Sequence, residues 1–428
     1  MTLAAFPAHS DYKASGYDWV GDVPSHWAVE KLGTCLTSVS RKGRPDLPLL
    51  SITREEGVIE RDVDDQESNH NFIPEDLSNY KILRAGQFGM NKMKAWQGSY
   101  GISNHTGIVS PAYFVFDITR EVDPAFFNRA LRSKLYVSYF AAASDGVRIG
   151  QWDLSKTRMR DIPVLLPPLP EQRAIASFLD EKCAKVNEAV RIKEEQIALL
   201  RERRQILIQQ AVTRGLNPAA PMKDSGIDWI GQIPAHWEQL ANKHIFRLRK
   251  TLVGKRSSEY ELLSLTLRGV IKRDMENPEG KFPAEFDTYQ EVSPGDFVFC
   301  HFDVEETPRT VGLSAFFGMI TGAYTVYSVA DGVDPRFLLH FYICADTDKK
   351  MRSLYKGLRN TIPKDVFGTF KTPLPPIEEQ REIVAHIDEA SRKIEDAIAI
   401  KEDQIAALKE YKTSLINAAV TGKIKVSQ

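Results

Sequence analysis

The chain has 428 residues, 43% hydrophobic and 10% aromatic, which is enough for two or three domains with real cores and argues against disorder. Lysine and arginine number 56 against 57 aspartate and glutamate, so bulk charge points to no polyanion and any basic surface has to be local. Four isolated cysteines, Cys35, Cys183, Cys300 and Cys344, fit no CxxC or His/Cys ligand spacing, which argues against a disulfide framework and a structural zinc and fits a reducing cytoplasm.

In chain order, the N-terminal MTLAAFPAHSDYK lacks a basic segment followed by an apolar one, and no later apolar run approaches the roughly 18 residues a bilayer span needs, so export and membrane insertion are disfavoured. Next comes Ser15-Gly-Tyr-Asp-Trp-Val-Gly-Asp-Val-Pro-Ser-His-Trp27. Its WxGxxPxHW pattern returns as Ser225-Gly-Ile-Asp-Trp-Ile-Gly-Gln-Ile-Pro-Ala-His-Trp237, an offset of 210. A match of that length is an internal repeat. LLSITREEGVIERD from Leu49 answers LLSLTLRGVIKRD from Leu262, Val122-Asp-Pro124 answers Val333-Asp-Pro335, and Gly146-Val-Arg148 answers Gly357-Leu-Arg359. Pro7-Ala8 and Lys13 ahead of the first box match Pro218-Ala219 and Lys223 ahead of the second, as in a ring cut at the termini. His26 and His236 sit inside the repeated box, where packing or hydrogen bonding is their expected role.

Each half reads as mixed α/β. Tyr113–Asp117 and Tyr324–Tyr327 alternate as strands do, while Ala125–Ala143 and Arg336–Ile343 carry helical periodicity. Turn signals stand at Asp145-Gly146, Asn277-Pro278 and Pro294-Gly295. The strand order is not legible at this level.

From Leu166 to Gly215, apolar or small residues at Cys183, Val186, Val190, Ile197, Leu200, Leu207 and Ala211 recur in three- and four-residue steps, a coiled-coil seam. A helix from about Glu171 to Arg214 extends roughly 65 Å, the length of a spacer. Its opening, Leu166-Pro-Pro-Leu-Pro-Glu-Gln-Arg173, returns as Leu374-Pro-Pro-Ile-Glu-Glu-Gln-Arg381, and Lys193-Glu-Glu-Gln-Ile197 returns as Lys401-Glu-Asp-Gln-Ile405. Paired prolines suit the start of a helix, Glu171 and Glu378-Glu379 complement its dipole, and Gly215 and Gly422 mark its stops. Connectivity then predicts an antiparallel helix pair with one globular half at each end. The predicted architecture is α+β, with globular regions 1–165 and 216–373 and long helices 166–215 and 374–428. Two similar domains on a ruler suit a two-part target such as duplex DNA, whose features repeat about every 34 Å.

The doubled WxGxxPxHW boxes, the doubled LPP[LI]xEQR openings, the closing AVTRG and AVTGK and the twice-repeated order of variable half and helix resemble the specificity (S) subunit of type I restriction-modification systems, over essentially the whole chain. That resemblance implies a noncatalytic subunit whose two target recognition domains read a bipartite double-stranded DNA site. It also implies two modification (methyltransferase) subunits docked on the helices and restriction (motor-nuclease) subunits joining for cleavage. The cofactors follow those partners: S-adenosylmethionine in the modification subunits, ATP and Mg in the restriction subunits, none in this chain. Consistently, the chain has no Asn/Asp-Pro-Pro-aromatic loop and no GxxxxGK[ST] phosphate loop, and its Pro-Pro pairs stand at helix starts. Two other readings stay open: a restriction-modification enzyme with an unrecognised catalytic site, and a coiled-coil scaffold for proteins.

Base reading calls for Arg, Lys, Asn and Gln on loops, with aromatics beside them. In the first half the richest stretch is Asn91–His105, with Lys92, Lys94, Trp96, Gln97, Ser99, Tyr100, Asn104 and His105 as candidates. Its counterpart, Cys300–Arg309, has diverged completely and offers His301 and Arg309, as two readers of different half-sites would; a drifting solvent loop is the alternative. The second candidate is Arg148, Gln151 and Lys156 against Arg359, Asn360 and Lys364. Arg148 and Arg359 keep their place in both halves, which fits phosphate better than a base, with a structural salt bridge as the alternative. In the seam, Lys193 and Lys401, like Arg204 and Lys412, are matched cations. They either snorkel out of a helix pair or meet acidic groups of docked partner subunits.

Overall fold

The computed structural model describes residues 6–62, 73–148, 151–274 and 285–426. The fold divides into two compact units, Met1–Glu194 with Glu402–Gln428, and Glu195–Lys401. Among the described residues no helix is long and apolar enough to cross a membrane.

The first unit is built on an antiparallel four-stranded sheet in the order Leu36–Val39, Phe114–Ile118, Phe88–Met90, Tyr100–Ile102. Strand alternation divides its side chains between two cores. Phe88, Tyr100 and Phe116 pack with Phe127, Leu131, Tyr136 and Phe140 of the helices Pro124–Leu131 and Lys134–Ala142. Val115, pointing the other way, joins Leu50, Ile52, Val58, Leu83 and Val109. Each buried phenylalanine of this kind contributes about 1.5–3 kcal/mol. The helix expected over 125–143 is thus two helices, broken where Arg132 turns its guanidinium to the carbonyls of Tyr100, Arg54 and Glu55.

The second unit repeats this topology: Phe246–Arg249, Thr325–Val329, Phe297–Phe299, Val311–Leu313. Phe297, Phe299 and Tyr327 face the helix Pro335–Thr347, while Val298 and Val326 face Leu263, Val270, Val292 and Ile320. The Asp145-Gly146 turn signal falls inside the strand Ser144–Arg148, at a register shift, because the chain continues into a hairpin with Gln151–Leu154. The Asn277-Pro278 signal lies outside the described residues.

The long helices run Leu169–Arg214 and Ile377–Val420, and each stops at a glycine with φ of +70°. A Cβ on Gly422 would lie 2.4 Å from Pro24, so both backbone and space require glycine there. The helix segments pair antiparallel within each unit. In the first, Lys412 reaches Asn187 at 2.7 Å while Lys409, a turn earlier, faces Glu194 at 4.0 Å. In the second, Arg204 meets Glu395 at 2.8 Å, and Ala211 and Val212 pack with Ile383, Val384 and Ile387.

Candidate nucleic-acid interface

The repeated motifs interlock into a frame that fixes the variable loops. Val-Asp-Pro caps a helix: the Asp123 side chain accepts from Phe126 N at 2.9 Å and Asp334 accepts from Arg336 N at 2.8 Å, with proline in the first turn. The glutamine of each EQR clamps that cap to the helix opening. Gln172 accepts from Asp123 N and donates to Pro167 O, and Gln380 does the same for Asp334 and Pro375, all at 2.8 Å. The glutamate before it meets the box histidine, His26 with Glu171 and His236 with Glu379, both at 2.7 Å. The histidines therefore have the hydrogen-bonding role expected of them.

In the first unit, the two candidate stretches come together. The loop between Met90 and Tyr100 lies against the hairpin Ser144–Leu154: Leu154 N donates to Lys92 O at 3.0 Å, Lys92 Nζ pairs with Asp153 at 2.9 Å, and Trp96 sits 5.1 Å from Trp152. Lys94 is exposed and Gln97 half-buried on this loop. Exposed Lys156 lies over the Phe114 ring at 4.3 Å. Two further lysines join it that the linear reading missed. Lys81 Nζ donates to Tyr113 O at 2.6 Å, next to the Phe114 ring under Lys156, and Ile82 N donates to Arg41 O at 2.7 Å, which brings Lys42 alongside; burial, and then the charges of Lys156, Lys42 and Lys92, hold the Lys81 ammonium below its ordinary value. Lys42 and Lys81 lie in separate segments that the folded sheet gathers, and no local pattern marks them.

Other candidates of this half fall elsewhere. Ser99 and Tyr100 are corrections: both are buried, and the Tyr100 hydroxyl donates to Leu131 O at 2.8 Å, because Tyr100 begins the fourth sheet strand. Asn104 and His105 lie beyond the other end of that strand, with His105 Nδ1 3.2 Å from Glu60 and Asn104 lining a cavity with Asn128, Arg129 and Asp180. The side chains of Arg148 and Gln151 lie outside the described residues.

The second unit mounts its divergent loop the same way. Asp303 N donates to Arg359 O and Ile362 N to His301 O, both at 2.8 Å, so Cys300–Arg309 is docked on the stretch around Arg359. His301 is a correction. It is buried, stacked on Phe299, and burial pushes its pKa down to about 4, with the charge of Lys364 adding to the shift. Arg309 is another: it lies 3.2 Å from Asp346, which is fully buried and also accepts from Thr310 and Lys349. Arg359 is exposed but takes the salt-bridge alternative, with Nε 2.9 Å from Asp303. Asn360 donates to Glu306 at 3.3 Å, and Lys364 is exposed at the start of the helix Lys364–Thr369.

Of the seam cations, Arg204 and Lys412 find their partners on the facing helix, Glu395 and Asn187. Lys193 and Lys401 are half-buried.

No family model matches the chain. It is 22% identical, over 95% of its length and 96% of the relative's, to a putative type I restriction enzyme MjaX specificity subunit of Methanocaldococcus jannaschii. It is 24% identical to the type I restriction enzyme MjaVIII specificity subunit of the same organism, over 68% of this chain and 69% of that one. Among solved structures, its fold is similar to a chain from work on complex assembly and conformational transition of the type I R-M system, with TM-score 0.63, 15% identity and 93% and 98% coverage. It is also similar to the HsdS subunit from Thermoanaerobacter tengcongensis, with TM-score 0.53, 16% identity and 94% and 98% coverage. Along nearly its whole length the chain is thus similar to curated type I restriction enzyme specificity subunits, and it shares the fold of solved chains from type I R-M systems.

Proposed function

We propose that this chain is the noncatalytic DNA-reading subunit of a type I restriction-modification complex. The observation that carries the reading is similarity to a type I specificity subunit over 95% of the chain. Each unit reads one part of a bipartite site. Its divergent loop supplies base contacts, from Lys94 and Gln97 in the first unit, and the surrounding cations hold phosphate: Lys42, Lys81 and Lys156 there, and Lys364 in the second. The long helices space the two readers and dock two modification subunits, with Lys193 and Lys401 facing acidic partner groups. Methyl transfer with S-adenosylmethionine belongs to those subunits, and ATP- and Mg-dependent cleavage to restriction subunits, in the cytoplasm.

The test is the adenine methylation pattern of the source genome with and without this gene. One split motif is expected to vanish on deletion. Replacing Cys300–Arg309 and Arg352–Ile362 together with those of another reader should change one half of the motif and leave the other. Persistence of every methylated motif after deletion refutes the reading.

A further inference from the structure

At one buried corner the first unit departs from the second. In the second, Glu379 accepts from Trp237 Nε1 at 3.0 Å through one carboxylate oxygen and meets His236 Nε2 at 2.7 Å through the other. The matching Glu171 keeps its 2.7 Å contact with His26, but its other oxygen faces His9 Nε2 at 3.8 Å, too far for a hydrogen bond. Trp27 Nε1 is left buried with no hydrogen-bond partner, and so is His9 Nε2, on a side chain only 6% exposed. Where the repeat would place a second His9, the second unit has Ala219 and Ala220. A carboxylate turned from a buried indole donor toward an imidazole it does not reach leaves a gap between two electron-pair donors.

We propose that His9, His26 and Glu171 form a zinc site that the second unit lacks. One ligand atom from each lies within 4.8 Å of the others. Zinc bonds of about 2.0–2.1 Å at tetrahedral angles place ligand atoms about 3.3 Å apart. The 2.7 Å and 3.8 Å contacts run to the two different oxygens of Glu171, so turning that carboxylate and the two imidazoles brings one atom from each, already within 4.8 Å of the others, to this separation. Two imidazoles and a carboxylate are a donor set that zinc accepts, with a water completing the tetrahedron. The water has room: the three residues line a cavity of about 240 Å³ together with Ser10, Asp11, Ser25 and Lys425. His9 Nε2 is buried and makes no hydrogen bond, so it is the nitrogen open to a metal. On binding, His26 carries its proton on Nδ1 and gives Nε2 to the metal in place of the hydrogen bond to Glu171. Lys425 faces the same cavity and opposes the cation, leaving the three ligands to supply the affinity.

Such a site ties three distant segments together: the residues before the first strand, the WxGxxPxHW box and the opening turn of the first long helix. Metal binding of this kind adds to folding stability. The proposal stands apart from DNA reading and is tested separately from it. The full chain, stripped with chelator, is titrated with zinc in competition with a chromophoric indicator. One equivalent per chain is expected, with zinc raising Tm. His9→Ala and His26→Asn should each weaken binding by at least about tenfold, and His236→Asn should leave it unchanged. If His9→Ala fails to fold by circular dichroism, the half-exposed His26 carries the test through His26→Asn. Equal zinc affinity in the variants, or no binding by the native chain, overturns the proposal.

Discussion

Removing Lys42 and Lys156 together tests whether the cation patch of the first unit holds DNA phosphates. Both are exposed, and after burial it is their charges, with that of Lys92, that hold the Lys81 ammonium below its ordinary value. Each phosphate contact steepens the dependence of log affinity on log salt by about 0.9, so Lys42→Ala with Lys156→Ala should make the slope shallower by about 1.8. Over a fourfold rise in salt, native affinity should therefore fall about 12-fold further than that of the double variant. Lys92 supplies an internal comparison, because Asp153 already neutralises it at 2.9 Å. Lys92→Ala should change the slope less than either of the other two. The assay is fluorescence anisotropy of the assembled complex on duplexes with and without the target across a salt series. Both duplexes should weaken alike, since phosphate is common to any sequence. An unchanged slope, or a change in the motif recognised, refutes the assignment.

His301 makes the second unit acid-sensitive. Its folded pKa of about 4 lies below the ordinary 6.5, so the unfolded chain takes up the proton first, and stability present above about pH 6.5 is lost as pH falls toward 4. The loss reaches about 3 kcal/mol, and denaturant midpoints measured across this range should flatten in His301→Phe, which keeps the ring stack. Asp346→Ala leaves Arg309 and Lys349 without their buried partner and should cost about 3–5 kcal/mol, read from denaturant unfolding, whereas a loss near zero would make the network incidental. Inserting four residues after Glu194 and four after Lys401 lengthens each helix by about 6 Å. The methylated motif should then gain one or two base pairs in its gap with both half-sites intact, and altered half-sites with a constant gap would count against the spacer role.

Helix ends and the repeated frame were legible because local chemistry dictates them. A proline pair, an acidic first turn and a glycine with positive φ need no tertiary context, and Leu169–Arg214 follows the seam written into it. The hydrogen-bonding role of His26 and His236 was legible from repetition. The candidate contacts were less so, for reasons visible in single residues. Tyr100 stands in a Gly-Ser-Tyr-Gly run that reads as loop, yet it begins a strand buried on both faces, where no alternation betrays it. Arg309 looks like a base reader until Asp346, 37 positions on, arrives beneath it. Lys42 and Lys81 become a patch only when the sheet brings them to Lys92 and Lys156. The three proposed zinc ligands are spread over 163 positions, beyond any spacing rule.

The docking of each divergent loop combines two kinds of bond with different memories of sequence. Leu154 N to Lys92 O, Asp303 N to Arg359 O and Ile362 N to His301 O join backbones and form with any side chains in place. Trp96 with Trp152, and Asp303 with Arg359, are side-chain pairs and hold only as pairs. The backbone bonds act as a socket that accepts a foreign loop, and the side-chain pairs act as its key. New specificity on this scaffold would therefore be inherited in two-part blocks, with loop and platform changing together while the frame of prolines, glutamines and glutamates stays as it is.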